Sequence, residues 1–416
     1  MKIVLQGLWM LCLLFLVEVR ADDPSVAHHD DLAIDEHLSL AQVIDATFQQ
    51  YPDSVLAAAY SQQARALEQR TASWIAGYPQ LYLQWIDDRT FDRQGRVEVQ
   101  TGYQIPLWGW KQREASGAVA REARQYSEQF VRALRQEIAG QVREALWTLK
   151  RVENRYRLAE KIHEVAHRLS AVVRRRVELG DLARADLLLA EADQLEKQTG
   201  LIQAEAEVMH ARKTYINLTR LTRMPDRFEE TLSPIRQIEP QHPALAAANG
   251  LIAQAQAEVE YVSRSKQGNQ PSLLIGTQHD RGTRREGFNT ATNVVIQVPF
   301  GGEAWNAPFV AEANLNLNRA LAQRENLMRE LEKALHEADH NLEVDQAALE
   351  IARRRQDIAE TQLTMNRIAF DAGEISLIDY LRITASAEAA IRDAAEWDIR
   401  VKQDIAVRNQ VVGVMP

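Results

Sequence analysis

The segment Tyr103, Gln104, Ile105, Pro106, Leu107, Trp108, Gly109 returns 193 residues later as Ile296, Gln297, Val298, Pro299, Phe300, Gly301, Gly302. Gly180 with Asp186 returns at the same offset as Gly373 with Asp379, and Pro79 returns within one residue of it as Pro271. Three separated anchors in one register mark an internal duplication, so the fold must be assembled from two similar halves. The pattern in each half reads helix, two strands, a very long helix, a turn, and a second long helix.

The expected units are a first repeat over 39–223, an irregular connector over 224–242 with Pro225, Pro234 and Pro240, and a second repeat over 243–416. The first repeat opens with one helix from Leu40 to about Ala76. It continues with a β-hairpin over 80–105, whose strands are Gln80 to Ile86 and Val97 to Ile105, and a coiled-coil hairpin over 107–218. The second repeat holds a β-hairpin over 272–298, with strands Ser272 to Thr277 and Thr290 to Val298, and a coiled-coil hairpin over 307–413. Residues 22–38 are expected to be a flexible N-terminal segment.

Ala145, Leu149, Val152, Tyr156 and Ala159 follow one another at intervals of four, three, four and three, which is heptad spacing. Neither Gly nor Pro interrupts Gln141 to Leu179, and a helix from Lys111 to Leu179 would run roughly 100 Å at ~1.5 Å per residue. A helix of that length needs a partner for its apolar stripe, and the Leu- and Ala-rich segment from Leu182 to Leu218 supplies one. With 18 Gly and 12 Pro in 416 residues, and only 6% aromatics, the composition suits long helices better than a large globular core.

Residues Met1 to Ala21 carry Lys2, an apolar run from Ile3 to Val17, and Val19 and Ala21 before Asp22, which reads as a cleavable secretory signal peptide. The single cysteine, Cys12, lies inside that run without the small preceding residue expected of a lipid-modified cysteine, so neither disulfide nor lipid anchor is expected. The net charge of -9 comes with basic and acidic residues interleaved, which argues against a nucleic-acid partner. Beyond the signal no apolar run approaches the ~18 residues of a spanning helix. Any membrane crossing must be by β-strands.

The strands carry that signal. From Val97 to Ile105 one face reads Val, Val, Thr, Tyr, Ile and the other Glu, Gln, Gly, Gln. In the second copy Thr290, Thr292, Val294, Ile296 and Val298 oppose Asn293 and Gln297. Outer-membrane strands need ~9 to 11 residues with an apolar lipid face and a polar lumen face. A half-buried hairpin on a soluble core shows the same alternation once, but here it occurs twice, each time ending near an aromatic such as Trp108, Trp110 or Phe300. Four strands cannot close a barrel by themselves; two chains would reach eight and three would reach twelve. The loops Asp87 to Arg96 and His279 to Phe288 would face the outside medium.

Together, the signal peptide, the duplicated helix and hairpin pattern, the strand-Pro-aromatic junctions and the paired Gly-six-Asp turns resemble the TolC-like outer-membrane efflux proteins over residue 38 to the C-terminus. The resemblance implies a mainly α chain with membrane β. Its fold would be a trimeric twelve-stranded barrel continued by a coiled-coil tunnel across the periplasm of a Gram-negative cell. It implies a homotrimer in outer-membrane lipid, working with a periplasmic adaptor and an inner-membrane pump, with no cofactor and no catalysis. The compact end after the last helix resembles the cobalt-zinc-cadmium branch, which makes heavy-metal cations the implied cargo. By the same resemblance Arg176 to Leu182 and Phe370 to Ile375 are periplasmic tips, with Gly180, Asp181, Asp186, Gly373 and Glu374 as adaptor contacts. Asp379 stands where the family narrows its tunnel with carboxylates, and Arg382 stands where a second acidic ring is usual, so an Asp379 to Arg382 pair is one arrangement to expect.

Two stretches, His163-Glu164-Val165-Ala166-His167 and His336-Glu337-Ala338-Asp339-His340, match the zinc-protease pattern HExxH. Both lie inside continuous helical heptads with no third ligand in view, so a hydrolytic site is the weakest reading. The run His28, His29, Asp30, Asp31 with His37 is metal-friendly only by composition. A periplasmic adaptor or scaffold is the alternative class, since it too uses long helical hairpins, but it would not carry amphipathic strands of membrane length.

Overall fold

A computed structural model of the chain describes residues 31–265 and 269–416. The proposed signal peptide and the run His28 to Asp30 lie outside the described residues. The long breaker-free segments are single helices: α3 spans Gln112–Glu178 and α6 spans Glu303–Asp371, each followed by a shorter return helix, α4 over Arg184–Thr219 and α7 over Leu377–Val411. Ahead of each long helix lies a strand pair, β2 (Gln80–Asp87) with β3 (Val97–Pro106), and β5 (Ser272–Arg281) with β6 (Asn289–Gln297). The four form one antiparallel sheet in the order β2-β3-β5-β6. The two halves are joined by β3 and β5, which pair from Val97 opposite Arg281 to Pro106 opposite Ser272.

Several boundaries differ from the sequence expectation. The opening helix is two helices, α1 (Leu40–Gln50) and α2 (Ser54–Ala72). Pro52 drives the preceding Tyr51 out of the helical region, to φ -72 and ψ 134. β5 runs four residues past Thr277, pairing His279 with Thr290 and Asp280 with Asn289, so the second outer loop is shorter than expected. The coiled-coil segments start at Gln112 and Glu303. Pro308 lies in the second turn of α6, where its missing N–H leaves the Ala304 carbonyl without its helical donor.

A short strand just inside the described residues pairs with the start of the connector. Ala33–Asp35 (β1) pairs in parallel with Arg223–Pro225 (β4), and Arg223 reaches Asp35 at 2.9 Å. Beyond β4 the connector is strapped to the helices. Buried Arg143 of α3 donates to both carboxylate oxygens of Glu230, at 2.7 and 2.9 Å, and Asn409 of α7 holds Glu230, Thr231 and Ser233. Arg408 donates to the carbonyls of Ser233 and Ile235. The connector leads into α5 (Pro243–Arg264), which packs between α3 and α6.

The main core sits at this level. Leu134, Ile138, Val142, Leu146 and Leu149 of α3 pack with Val43 and Ile44 of α1, Val208 and Tyr215 of α4, and Phe228 of the connector. Ala145, Leu149 and Val152 of the heptad are buried, as the spacing requires. Trp147 is fully buried with Phe228 edge-on at 5.0 Å. Trp147→Ala should therefore cost about 3–5 kcal/mol of stability, read as a lowered denaturation midpoint of the intact protein, with Phe228→Ala non-additive to it because the two rings share one contact.

Candidate functional site

The sheet has two chemically different faces and two open edges. On one face Leu81, Tyr103, Ile275 and Val294 stand in one row across all four strands, and all four are exposed. Leu83, Trp85 and Ile296 extend this bare apolar surface. The opposite face is a hydrogen-bonded polar ladder. Glu98 accepts from Gln100 at 2.6 Å and from Gln278 at 3.1 Å, and Gln100 accepts from Asn293 at 3.0 Å. Lower down, Gln104 donates to Ser272 at 3.0 Å and to Gln297 at 3.2 Å. Leu274 and Val295 interrupt that polarity beside Gln104.

Gly102 and Gly276 lie directly opposite one another in the middle of the β3–β5 pair. A Cβ on Gly276 would fall 1.9 Å from the Thr101 carbonyl oxygen, so both halves must keep this position bare. Among the described residues β2 and β6 each pair on one side only, which leaves a full row of backbone groups open on either edge. Large aromatics ring the end of the sheet nearest the helices: Trp74, Tyr78, Trp110, Phe300 and Trp305 are all exposed, Phe300 to 94%. Trp108 differs, since its indole N–H donates to the Ser73 carbonyl at 3.0 Å. Phe91 and Phe288 mark the far end.

At the opposite extreme the two helical hairpins turn. Gly180 (φ 83) and Gly373 (φ 77) occupy the left-handed region that closes each long helix. Gly180 N–H donates to Val177 O and Asp181 N–H to Arg176 O; Gly373 and Glu374 repeat the pattern on Phe370 and Ala369. The recurring aspartates cap the return helices. The Asp186 carboxylate accepts from Ala183 N–H at 3.2 Å, and the Asp379 carboxylate takes the Ser376 hydroxyl at 2.5 Å. Asp379 and Arg382 are both exposed on α7, and no ion pair joins them. The Gly-six-Asp signature is thus a helix stop followed by a helix start.

The two tips are held side by side by Arg176 and by an apolar cluster shared between them. Arg176 donates to the carbonyls of Phe370 and Asp371 at 3.4 and 3.3 Å, approaches the Asp371 carboxylate at 3.6 Å, and lies over the Phe370 ring. A cation there satisfies orphan carbonyls at the C-terminus of α6 and matches its dipole. Phe370 stacks on Tyr380 at 4.8 Å above a small core of Val173, Ala190 and Leu377. Above it a cavity of about 520 Å³ separates α3 from the second hairpin, lined by Ile162, Val165, Val172, Leu363, Tyr380 and Ile391.

The zinc-protease pattern does not assemble. Glu164 pairs with Arg168 and Glu337 with Lys333, each one turn along its own helix, while His167, His336 and His340 point to the surface. Asp339, inside the second match, is taken by Arg408. Among the described residues no three His, Cys, Asp or Glu side chains converge on a metal-sized space, and no helix is long and apolar enough to cross a membrane.

Replacing Arg176 with Ala should speed hydrogen exchange at residues 176–182 and 368–374 while moving the global unfolding midpoint by less than about 1 kcal/mol, since the guanidinium is partly solvated. Equal exchange in both proteins would show that the apolar cluster alone joins the tips.

No family model matches the sequence, and no curated protein does. Solved structures do match. CusC, whose structures concern folding and transmembrane channel formation, aligns with a TM-score of 0.70 over 92% of this chain and 93% of its own at 14% identity. The CmeC outer membrane channel of Campylobacter jejuni gives 0.68 over 90% and 85% at 16% identity. The open MtrE outer membrane channel of Neisseria gonorrhoeae gives 0.67 over 92% and 91% at 15% identity. At these identities the likeness is one of fold, and the chain has the fold of these outer membrane channels, the TolC-like arrangement that its sequence resembles.

Proposed function

We propose that three copies of this chain form the outer-membrane duct of a Gram-negative tripartite efflux system, a passive conduit fed by an inner-membrane pump through a periplasmic adaptor. The carrying observation is the four-stranded sheet, with a bare apolar face outside, a satisfied polar ladder inside and both edges open. An apolar face bounded by aromatics at both ends matches a lipid-facing barrel wall. Open edges cannot stand in hydrocarbon, so β2 of one chain must pair with β6 of the next.

The duplication itself supports the way neighbours meet. Within the chain α3 faces α7 through Val165 and Val172 on one side and Tyr380, Thr384 and Glu388 on the other. Shifting both helices by one repeat gives Ile358 and Met365 of α6 against Leu187, Glu191 and Leu195 of α4. Ile351, Ile358 and Met365 of α6 and Leu188, Leu195 and Ile202 of α4 are indeed exposed apolar stripes at seven-residue spacing. Each stripe needs a partner helix, and α4 of one chain against α6 of the next closes a head-to-tail ring. With four strands per chain, three chains give twelve, enough to leave an open lumen.

The tips at Gly180, Asp181, Asp186, Gly373 and Glu374 are the proposed adaptor contacts. The cargo proposed from the sequence resemblance is a heavy-metal cation. Asp379 would contribute an acidic ring, and Arg382, three residues on, a basic one, to the narrow end of the duct.

Detergent extraction of outer membranes, mass determination and planar-bilayer conductance test the reading. A conducting trimer is expected, and Leu195→Glu with Ile202→Glu should reduce it to monomers; a soluble monomer that conducts nothing would overturn the duct. Asp379→Ala should lower cation preference by more than Ser376→Ala does, because the latter frees the same carboxylate from its cap without removing its charge. Equal preference in both variants would reduce Asp379 to a helix cap.

A further inference from the structure

The buried face of α6 repeats at Leu335, Ala338, Leu342, Asp345, Leu349 and Ala352, spaced three, four, three, four and three. Five of these six heptad positions are apolar, as a helix seam requires. Asp345 is the exception, and its side chain is 6% exposed. Facing it across the seam from α7 is Asp404, in the antiparallel register that Arg353 with Asp398 and Asp339 with Arg408 set on either side. Asp404 Oδ2 is buried and finds no hydrogen-bond donor, and the equally buried Asp345 Oδ2 has only the guanidinium of Arg400 beside it. Arg400, one turn below Asp404, approaches Asp345 at 2.8 Å and stacks on Trp397.

The first copy shows what the fold itself demands here. Shifted back by one repeat, Asp345 and Asp404 become Val152 and Ala211, both buried and apolar in the α3–α4 seam. The acid pair is therefore an addition to the second hairpin and not a requirement of its geometry. Two carboxylates served by one guanidinium leave one surplus negative charge in the seam, and burying it unpaired is expensive. Most of the neighbouring cations are engaged elsewhere. On α7, Arg408 is held by Asp339 of α6 and by connector carbonyls, and Lys402 by Asp398 and by Glu229 of the connector. From α6, Arg353 goes to Asp398. On α3, Arg155 is paired with Glu396 and Glu207, Lys150 lies with the Arg353, Asp398 and Lys402 group, and Arg151 keeps its Nε buried without a partner. On α4, Lys197 is held by Glu388 lower down.

We propose that Asp345 and Asp404 share one proton across the α6–α7 seam, making the second hairpin a pH-sensitive lock that is tight in acid and loosens as the pH rises toward neutrality. Arg400 lies against Asp345 and balances the single negative charge of the pair. Asp404 carries the proton and donates it to Asp345, so the bond and the charge balance are satisfied together. A proton suits the place better than a metal ion, because the guanidinium already fills the cationic position and no third ligand converges. The inference rests on the hairpin alone and is independent of the duct reading.

Burial first, and then the hydrogen bond and charge of Asp345, push the Asp404 carboxyl up to about 7 from 3.8, against the pull of Arg400. A raised acid binds more protons folded than unfolded. Its stabilisation is complete below the unfolded value and is lost as pH rises through the folded one.

The test is an infrared titration of the full chain in detergent, following the carboxylic-acid C=O band, with thermal midpoints over the same pH range. The wild type should show a protonated carboxyl that titrates near pH 7, and a midpoint that falls from about pH 4 to about pH 7 and levels off above it. Asp404→Asn, which keeps a donor to Asp345 but cannot ionise, should lose the band and flatten the fall. Asp345→Val with Asp404→Ala, which installs the apolar pair of the first copy, should do the same and tests that the seam folds without acids. In Asp345→Asn the remaining acid should titrate at a lower pH than in the wild type, because the hydrogen bond and charge of Asp345 are gone while burial remains. A wild-type band missing at pH 5, a band that survives Asp404→Asn, or a fall that follows added divalent cation and not pH would each overturn the shared proton.

Discussion

The constraint on which the rest of the molecule depends is a four-stranded sheet with both edges open. Four strands with hydrogen-bonding edges on both sides are tolerable in water and intolerable in hydrocarbon, where each unmet backbone group costs several kcal/mol. The apolar row Leu81, Tyr103, Ile275, Val294 commits one face to hydrocarbon or to another protein, and the polar ladder from Glu98 to Gln297 commits the other to water. In the proposed duct the two-faced sheet meets both demands by curling and closing with copies of itself. The bare pair Gly102 and Gly276 lets the two halves approach closely at its centre.

The helical part solves the complementary problem of length. A helix of 67 or 69 residues cannot bury its stripe against itself, so each long helix is covered in turn. Near the sheet α2 and α5 cover α3, and toward the tips α4 and α7 take over. The handover falls at the level of Trp147, where the connector crosses and Arg143, Arg408 and Asn409 strap it down. Buried arginines serve there because a planar fork can satisfy several carbonyl and carboxylate oxygens at once.

How much of this the sequence disclosed depended on whether the signal was periodic. The strands were legible because alternation over nine residues at Val97 to Ile105 has one physical meaning, and the tips because Gly180 and Gly373 end otherwise unbroken heptads. Pro52 was equally visible, yet the apolar pattern on both sides of it masked the break between α1 and α2. The β1–β4 pair and the connector straps were not legible, since three-residue strands and single Arg to carbonyl contacts leave no periodic trace. Asp345 could have been found by counting heptads through α6, where it interrupts an apolar series; Asp404 could be paired with it only in three dimensions.

The duplication also explains where the two halves differ. Arg176, which ties the first tip to the second, corresponds to Ala369 in the second copy, and Arg155, which reaches Glu396, corresponds to Ala348. Both links therefore exist inside a chain and have no counterpart where α6 of that chain would meet the next one. In a ring of six hairpins, seams held by arginine would alternate with seams held by apolar stripes alone. Such a ring resists separation within each chain and yields between chains. Motion at the tips would then turn pairs of hairpins as units, hinged where the cavity beside Val165 and Val172 already leaves α3 loosely packed against its neighbour.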